Sequence, residues 1–253
     1  MALTERDAFT LTATSTSMKI DVALNPAEIA QLHKRDLSRT TCVVFDVLRA
    51  TSSMITALAH GAREIHPVCT IDEARQLKAD MPHAILGGER DGETIDGFDV
   101  GNSPFEYREL AGRTIITTTT NGTVALRACE NAEAVLVGAI LNLSELADEI
   151  SWREPEELLL VCAGTFEEFA LEDACAAGLL IAALPEAQLS DSAHAALAVA
   201  KHFPTPLAAL RAARNGRALA AKGRGKEVDW CAQVSQFNVI GIMEQAVIRP
   251  IED

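Results

Sequence analysis

Four stretches of the chain set carboxylates, arginines or hydroxyls where an apolar run gives way to polar residues, a setting that holds side chains at the end of a scaffold and leaves them free for chemistry. Asp46 follows Val43-Val44-Phe45 directly, and Arg49 comes three residues later. Such a carboxylate suits a metal ion, and the arginine suits a phosphate clamp. The bland alternative is a helix-capping aspartate with a structural ion pair. Glu89-Arg90-Asp91 follows Gly87-Gly88, whose bare backbone permits close approach of a ligand. Hard cations such as Mg²⁺ take oxygen ligands and commonly bind one or two carboxylates plus a substrate phosphate, a role Asp46 and Glu89 could share. A glycine turn with solvated charges is the competing reading.

The third stretch is four threonines, residues 117–120, running into Asn121-Gly122-Thr123 and a helical pattern. Backbone N–H groups at a helix start, with hydroxyls beside them, make an anion site. A strand ended by an Asn-Gly turn would give the same string. In the fourth stretch Glu172 and Asp173 open a helix, where the dipole favours carboxylates even without a function. Adjacent helical residues point in different directions, so at most one of these two is expected at the ion held by Asp46.

Several standard sites are excluded by inspection. The chain has no G-x-x-x-x-G-K-[ST], no G-x-G-x-x-G after a strand, no H-E-x-x-H and no G-x-S-x-G. Cys42 lies seven positions before Arg49, one too many for a cysteine-phosphatase loop. His33, His60, His66, His83, His194 and His202 show no metal-ligand spacing. Cys42, Cys69, Cys129, Cys162, Cys175 and Cys231 form no C-x-x-C pair and sit in or beside apolar runs, so free buried thiols are expected.

The elements that must position these residues read as alternating strands and helices. Apolar runs at residues 41–45, 62–68, 84–86, 113–117, 134–138 and 157–162 predict strands. Between them, Asn25-Pro26-Ala27-Glu28, Thr70-Ile71-Asp72-Glu73 and Ser103-Pro104-Phe105-Glu106 supply helix starts, the first predicting a helix to about Arg35. Three times a strand ends in a small polar loop that opens a helix: at Asp46, at Thr118 and at Gly164. The first two units lie about 70 residues apart, which allows an internal duplication. The expected fold is a three-layer α/β/α arrangement, a mostly parallel or mixed sheet with helices on both faces and ligands at the carboxyl ends of strands. After about Ser190 the pattern is mostly helical, with a last short strand at residues 239–243. Residues 1–17 are expected to be a mobile extension, and residues 18–253 one domain.

At 253 residues with 48% hydrophobic content, the chain can bury a substantial core unaided. Its net charge of -14 argues against nucleic acid and anionic membrane as partners, so a small anionic substrate needs a local cationic site. No apolar run is long enough to span a bilayer, and the start is not that of a signal peptide. A cytoplasmic location is expected, and the Ala-rich helical region near the C-terminus makes a homodimer the expected assembly.

These residues are similar to a known family, the 2-phosphosulfolactate phosphatases of coenzyme M biosynthesis, or ComB family. The resemblance runs from Met18 to Cys231. It rests on Val44-Phe45-Asp46-Val47-Leu48-Arg49-Ala50-Thr51-Ser52, on residues 86–90 with Gly97-Phe98-Asp99-Val100-Gly101-Asn102-Ser103-Pro104, on residues 118–123, and on Cys162-Ala163-Gly164-Thr165 with Leu171-Glu172-Asp173. The chain departs from the family in its extension before Met18 and in Ala139-Ile140-Leu141-Asn142, where a more polar Gly-Ser-Phe-Asn stretch is expected.

The resemblance implies a Mg²⁺-dependent acid phosphatase acting on 2-phospho-3-sulfolactate or a related phosphorylated hydroxy acid. In that reading Asp46 and Glu89, with Glu172 or Asp173, hold Mg²⁺, and Arg49 and Arg90 neutralise phosphoryl oxygens. Thr118, Thr119, Asn121, Gly122 and Thr123 cradle phosphate or sulfonate, and Asn102 orients either. Asp46 could attack phosphorus itself, but Leu48 stands at the second position of the D-x-D pattern used by haloacid-dehalogenase enzymes, which favours direct attack by water. A non-catalytic anion-binding or regulatory protein and a phosphotransferase are the competing functions. The first needs no metal, and the second needs an acceptor pocket.

Overall fold

A computed structural model describes residues 17–251. The extension expected over residues 1–17 therefore falls, Ser17 apart, outside the described residues. Strands β1 (Lys19–Ala23), β2 (Thr40–Phe45), β3 (Glu64–Pro67), β4 (Ile85–Arg90), β5 (Glu93–Thr94), β6 (Thr114–Thr118), β7 (Ala134–Gly138), β8 (Glu157–Cys162), β9 (Gln188–Leu189), β10 (Gly241–Glu244) and β11 (Val247–Pro250) form one sheet. Its order is β5-β4-β6-β3-β11-β10-β7-β2-β8-β1-β9.

The helices are α1 (Pro26–Ile29), α2 (Ala50–Ala59), α3 (Ile71–Asp80), α4 (Pro104–Tyr107), α5 (Gly122–Ala128), α6 (Leu143–Arg153), α7 (Leu171–Ala183), α8 (Asp191–His202), α9 (Pro206–Ala212), α10 (Arg214–Ala221) and α11 (Gly225–Cys231). Polar caps start several of them: the side chains of Asn25, Thr70, Ser190 and Thr205 accept from the backbone N–H three residues on. The first helix is shorter than its cap suggested, ending at Ile29 before a separate 3-10 turn over Leu32–Lys34. No helix among the described residues is long and apolar enough to cross a membrane.

The central strands are apolar at nearly every position because both faces are covered. Val44, Val137 and Val161 pack on one face with Met54, Ile55 and Leu126 of α2 and α5. Their neighbours Val43, Leu136 and Leu160 pack on the other, with Leu146, Ala177 and Leu180 of α6 and α7. Alternation along each strand thus divides the core into two layers, one on each side of the sheet. The six cysteines are free, and all but Cys69 are buried in this packing.

Two parallel blocks make up the sheet. In one, β6 lies between β3 and β4; in the other, β2 lies between β7 and β8. In chain order the middle strand of the first block is its last and that of the second its first. At that centre sits the antiparallel hairpin β10-β11, paired to β7 and to β3. One strand was expected here, at residues 239–243. The second was not signalled because its turn, Gln245-Ala246, takes positive φ at both residues without the glycine or asparagine that usually marks such a turn.

Because three antiparallel pairings separate the blocks, their strands run in opposite senses along the ladder. Sheet twist, roughly 20–25° per step, further rotates one block against the other across the five steps from β6 to β2. Segments following β2, β6 and β8, together with the end of β4, then line a single crevice.

Candidate active site

Asp46 follows β2 directly, and its main chain ties to the first turn of α2: the Asp46 carbonyl accepts from Thr51 N–H at 2.9 Å, and Thr51 Oγ1 accepts from Asp46 N–H at 3.0 Å. Its Oδ1 accepts from Ala50 N–H at 3.1 Å, which is the capping role. Oδ2 takes no hydrogen bond from any described residue and faces the start of α5, where a Cβ on Gly122 would lie 2.5 Å from it. The capping and the chemical readings of Asp46 are therefore compatible, one oxygen serving each. Burial pushes the Asp46 carboxyl up to about 7, and the charges of Glu89 and Glu172 push the same way against the Ala50 N–H and Arg49.

Gly122 is small because Asp46 needs the room. An added Cβ would also come within 2.7 Å of Ala50 Cβ, a separation that forces one element to move. Gly122→Ala is expected to lower kcat/KM at least about tenfold and to cost about 1–3 kcal/mol of stability, the usual scale of overpacking. Steady-state kinetics and denaturant titration check this, and wild-type kinetics would contradict the tight Asp46-α5 contact.

Glu89 lies on β4, which continues through both glycines to Arg90 instead of ending at them. Its Oε1 accepts from Thr120 N–H at 2.9 Å and Thr120 Oγ1–H at 3.0 Å, and its Oε2 from Gly92 N–H at 2.8 Å. Asp91 and Gly92, at φ 55 and 78, form the two-residue turn between β4 and β5. Such Asp-Gly turns favour hairpins, a signal present in the sequence. Strand alternation sends Arg90 to the other side. Its guanidinium donates to the Glu89 and Thr118 carbonyls and to Thr118 Oγ1, tying β4 to β6, and it does not line the crevice.

Arg49 is buried. It donates to Glu227 Oε2 at 2.5 Å and to the Gly92 carbonyl at 3.2 Å. Glu227, on α11 and 178 residues away in sequence, was not anticipated.

The threonine loop divides by use. Thr120 and Asn121 line the crevice, while Thr118, Thr119 and Thr123 are buried behind it. Thr119 and Thr123 are engaged with each other: each hydroxyl accepts from the other's N–H at 3.1 Å. Asn121 pins the loop after β8 by donating to the Ala163 and Phe166 carbonyls and accepting from Phe166 N–H. Asn102 is buried at the crevice wall.

At the start of α7, both Asp173 oxygens accept backbone N–H groups, from Val47 at 2.8 Å and Gly164 at 3.1 Å, which joins the loops after β2 and β8. Burial holds Asp173 well above the usual carboxylate range, with Glu172 and Asp46 adding to it. Glu172 is likewise raised by burial, and its Oε1 accepts from Asn215 Nδ2 at 2.6 Å. Neither residue lines the crevice.

Among the described residues no three His, Cys, Asp or Glu side chains come together as a metal cage. Asp46, Glu89, Glu172 and Asp173 thus do not form one four-ligand set. Asp46 and Glu89 alone share the crevice wall.

The rest of the crevice comes from the C-terminal helices, which sequence patterning left without a role: Asn215, Ala218 and Leu219 of α10, and Lys222 just after it. Gly164, Thr165 and Phe166 face them. The cavity of about 180 Å³ suits a small molecule. Three acidic residues (Asp46, Glu89 and Asp91), the buried Arg49 guanidinium and Lys222 thus line one crevice beside the carboxyl ends of β2, β6 and β8.

Residues 27–246 match the family described as 2-phosphosulpholactate phosphatase. A probable 2-phosphosulfolactate phosphatase of Carboxydothermus hydrogenoformans is 38% identical over 226 residues, 88% of this chain and 92% of its own length. Probable 2-phosphosulfolactate phosphatases of Deinococcus radiodurans and Thermotoga maritima are 39% identical over 204 residues (78% of this chain, 85% of the relative) and 44% identical over 158 residues (62% and 67%). The chain belongs to the 2-phosphosulpholactate phosphatase family, and is accordingly a phosphoric monoester hydrolase.

Proposed function

We propose that the protein hydrolyses the phosphate ester of 2-phospho-3-sulfolactate, or of a closely related phosphorylated hydroxy acid, with Mg²⁺ held by Asp46 and Glu89. The observation that carries this reading is the Asp46 carboxyl: one oxygen is free of hydrogen bonds, its pKa is pushed up to about 7 by burial, and other carboxylates add to the shift. A divalent cation would offset that unfavourable charge. The donor set fits Mg²⁺, which keeps most of its waters and needs only one or two carboxylates plus the substrate. Glu89 can still serve, since each carboxylate oxygen has a second lone pair beyond those used by Thr120 and Gly92. When bound, Mg²⁺ would supply Lewis-acid polarisation and a lowered pKa for water.

The chain's own residues do the rest. Arg49, fixed by Glu227 and the Gly92 carbonyl, has further N–H groups to neutralise equatorial phosphoryl oxygens, a role worth roughly 10³–10⁵ in rate for an arginine finger. Arg90 acts by holding β4 against β6 so that Glu89 keeps its place. Thr120 and Asn102 supply polar contacts at the wall, and Leu48, Phe166 and Leu219 limit bulk water. With Leu48 two residues after Asp46, no second aspartate stands where a phosphoaspartate mechanism uses one, which favours attack by water.

The test is phosphate release from 2-phospho-3-sulfolactate and a panel of phosphorylated hydroxy acids, with Mg²⁺ and with EDTA. Turnover that falls at least about 10²-fold on chelation is the expected result, on the scale of losing one transition-state-stabilising group. Equal turnover in EDTA would remove the cation from the site. Tight binding of every ester without release would select the anion-binding alternative.

A further inference from the structure

The crevice contains one cation that the hydrolytic chemistry leaves unused. Lys222 and Arg49 are the two basic residues among those lining it. Arg49 is buried and committed to Glu227, whereas the Lys222 side chain is 44% exposed at the rim. Lys222 Nζ donates to the Asp91 carbonyl at 3.2 Å and to Glu93 Oε1 at 2.8 Å, and lies 3.5 Å from where a Cβ on Gly92 would stand. The same Gly92 gives its N–H to Glu89, so the ammonium is one residue's width from a proposed metal ligand.

As a fastener for the β4-β5 turn, Lys222 is redundant. Arg224 already binds Glu93 Oε2 at 2.9 Å and the Gly92 carbonyl at 2.7 Å. An exposed lysine-glutamate pair contributes little to stability, about 0–1 kcal/mol, and is readily exchanged for another anion. In 2-phospho-3-sulfolactate the carboxylate shares a carbon with the ester oxygen, whereas the sulfonate sits one carbon further away. It is the acidic group farthest from phosphorus, and so the one to reach the rim when phosphate sits by Asp46 and Glu89.

We infer that Lys222 is a specificity residue that leaves Glu93 to bind the substrate's sulfonate. This rests on the hydrolytic reading above for the identity of the substrate, but not for its test. The probes are 3-sulfolactate and lactate, which differ by the sulfonate alone, titrated by calorimetry in Mg²⁺ and phosphate into the full-length wild type, Lys222→Met and Arg224→Met. Wild type is expected to bind 3-sulfolactate the more tightly. Lys222→Met should cut that preference roughly ten- to hundredfold, the loss of one hydrogen bond between charged groups. Arg224→Met loosens the same turn without touching the crevice cation, and should weaken both probes alike.

An unchanged preference in Lys222→Met, or equal preference loss in both variants, overturns the assignment. Parallel kinetics with 2-phospho-3-sulfolactate and phospholactate separate the two readings. If neither ester turns over but the preference still depends on Lys222, the hydrolytic reading fails and the sulfonate site stands. If both turn over and the preference ignores Lys222, the reverse holds.

Discussion

Asp46→Asn is expected to abolish most turnover while making the metal-free protein more stable at neutral and alkaline pH. The catalytic loss should reach at least roughly 10²–10³-fold in kcat, the scale of removing one group that stabilises the transition state. The stability gain follows from the titration. In the folded chain Asp46 gives up its proton only near pH 7, whereas in the unfolded chain it does so near pH 3.9. Between those values the folded state binds the extra proton, so its advantage is complete below about pH 4 and disappears as pH rises through 7.

Metal-free wild type should therefore lose on the order of a few kcal/mol between pH 5 and pH 8, and Mg²⁺ should restore it at pH 8. The asparagine variant should show a flatter profile that Mg²⁺ barely changes. Urea titrations at the two pH values, with EDTA and with Mg²⁺, give the comparison. Activity within tenfold of wild type, or a variant profile as steep as the parent's, would remove Asp46 from the centre of the site.

Removing the Glu227 carboxylate should be the most damaging single change to stability around the crevice. Glu227→Ala leaves the buried Arg49 guanidinium without its paired carboxylate, a situation that costs about 3–5 kcal/mol. The turn at Gly92 should loosen with it, because the same guanidinium donates to the Gly92 carbonyl, and kcat/KM should fall as Glu89 loses its anchor. A second variant separates stability from chemistry: Arg49→Met combined with Glu227→Leu removes both charges and should recover most of the lost stability while staying inactive. A Glu227→Ala protein within about 1 kcal/mol of wild type, measured by denaturant titration, would show that water already compensates the pair.

The loops after β2 and β6 were legible because an unbroken apolar run stops there and a helical pattern starts, so Asp46 and the threonine stretch fell where a crevice forms. Which threonines face it was not legible. Thr119 and Thr123 are committed to each other across one helical turn, and side-chain type does not distinguish a hydroxyl so engaged from one offered to a ligand. Arg90 looked equivalent to Arg49 as a basic residue beside a carboxylate. Strand alternation separates it from Glu89, and that became readable only once β4 was seen to run through Gly87 and Gly88. Glu227, Asn215 and Lys222 carried no signal because they reach the site from helices whose own pattern is that of ordinary amphipathic packing, through contacts spanning 43 to 178 residues. The Asp91-Gly92 dipeptide carried a hairpin signal, but the polar stretch around it was not resolved into a turn and a short strand.

The position of the β10-β11 hairpin has an implication for how the enzyme is made. Residues 241–250 come after every other strand of the sheet in sequence, yet they fill its middle, between β7 and β3. A nascent chain therefore carries two unjoined pieces, each with a bare strand edge, until this hairpin has been made, and such edges are templates for wrong pairing. Catalytic competence would then arrive all at once with the hairpin, and products that stop short of it would be prone to aggregate instead of working at a reduced rate.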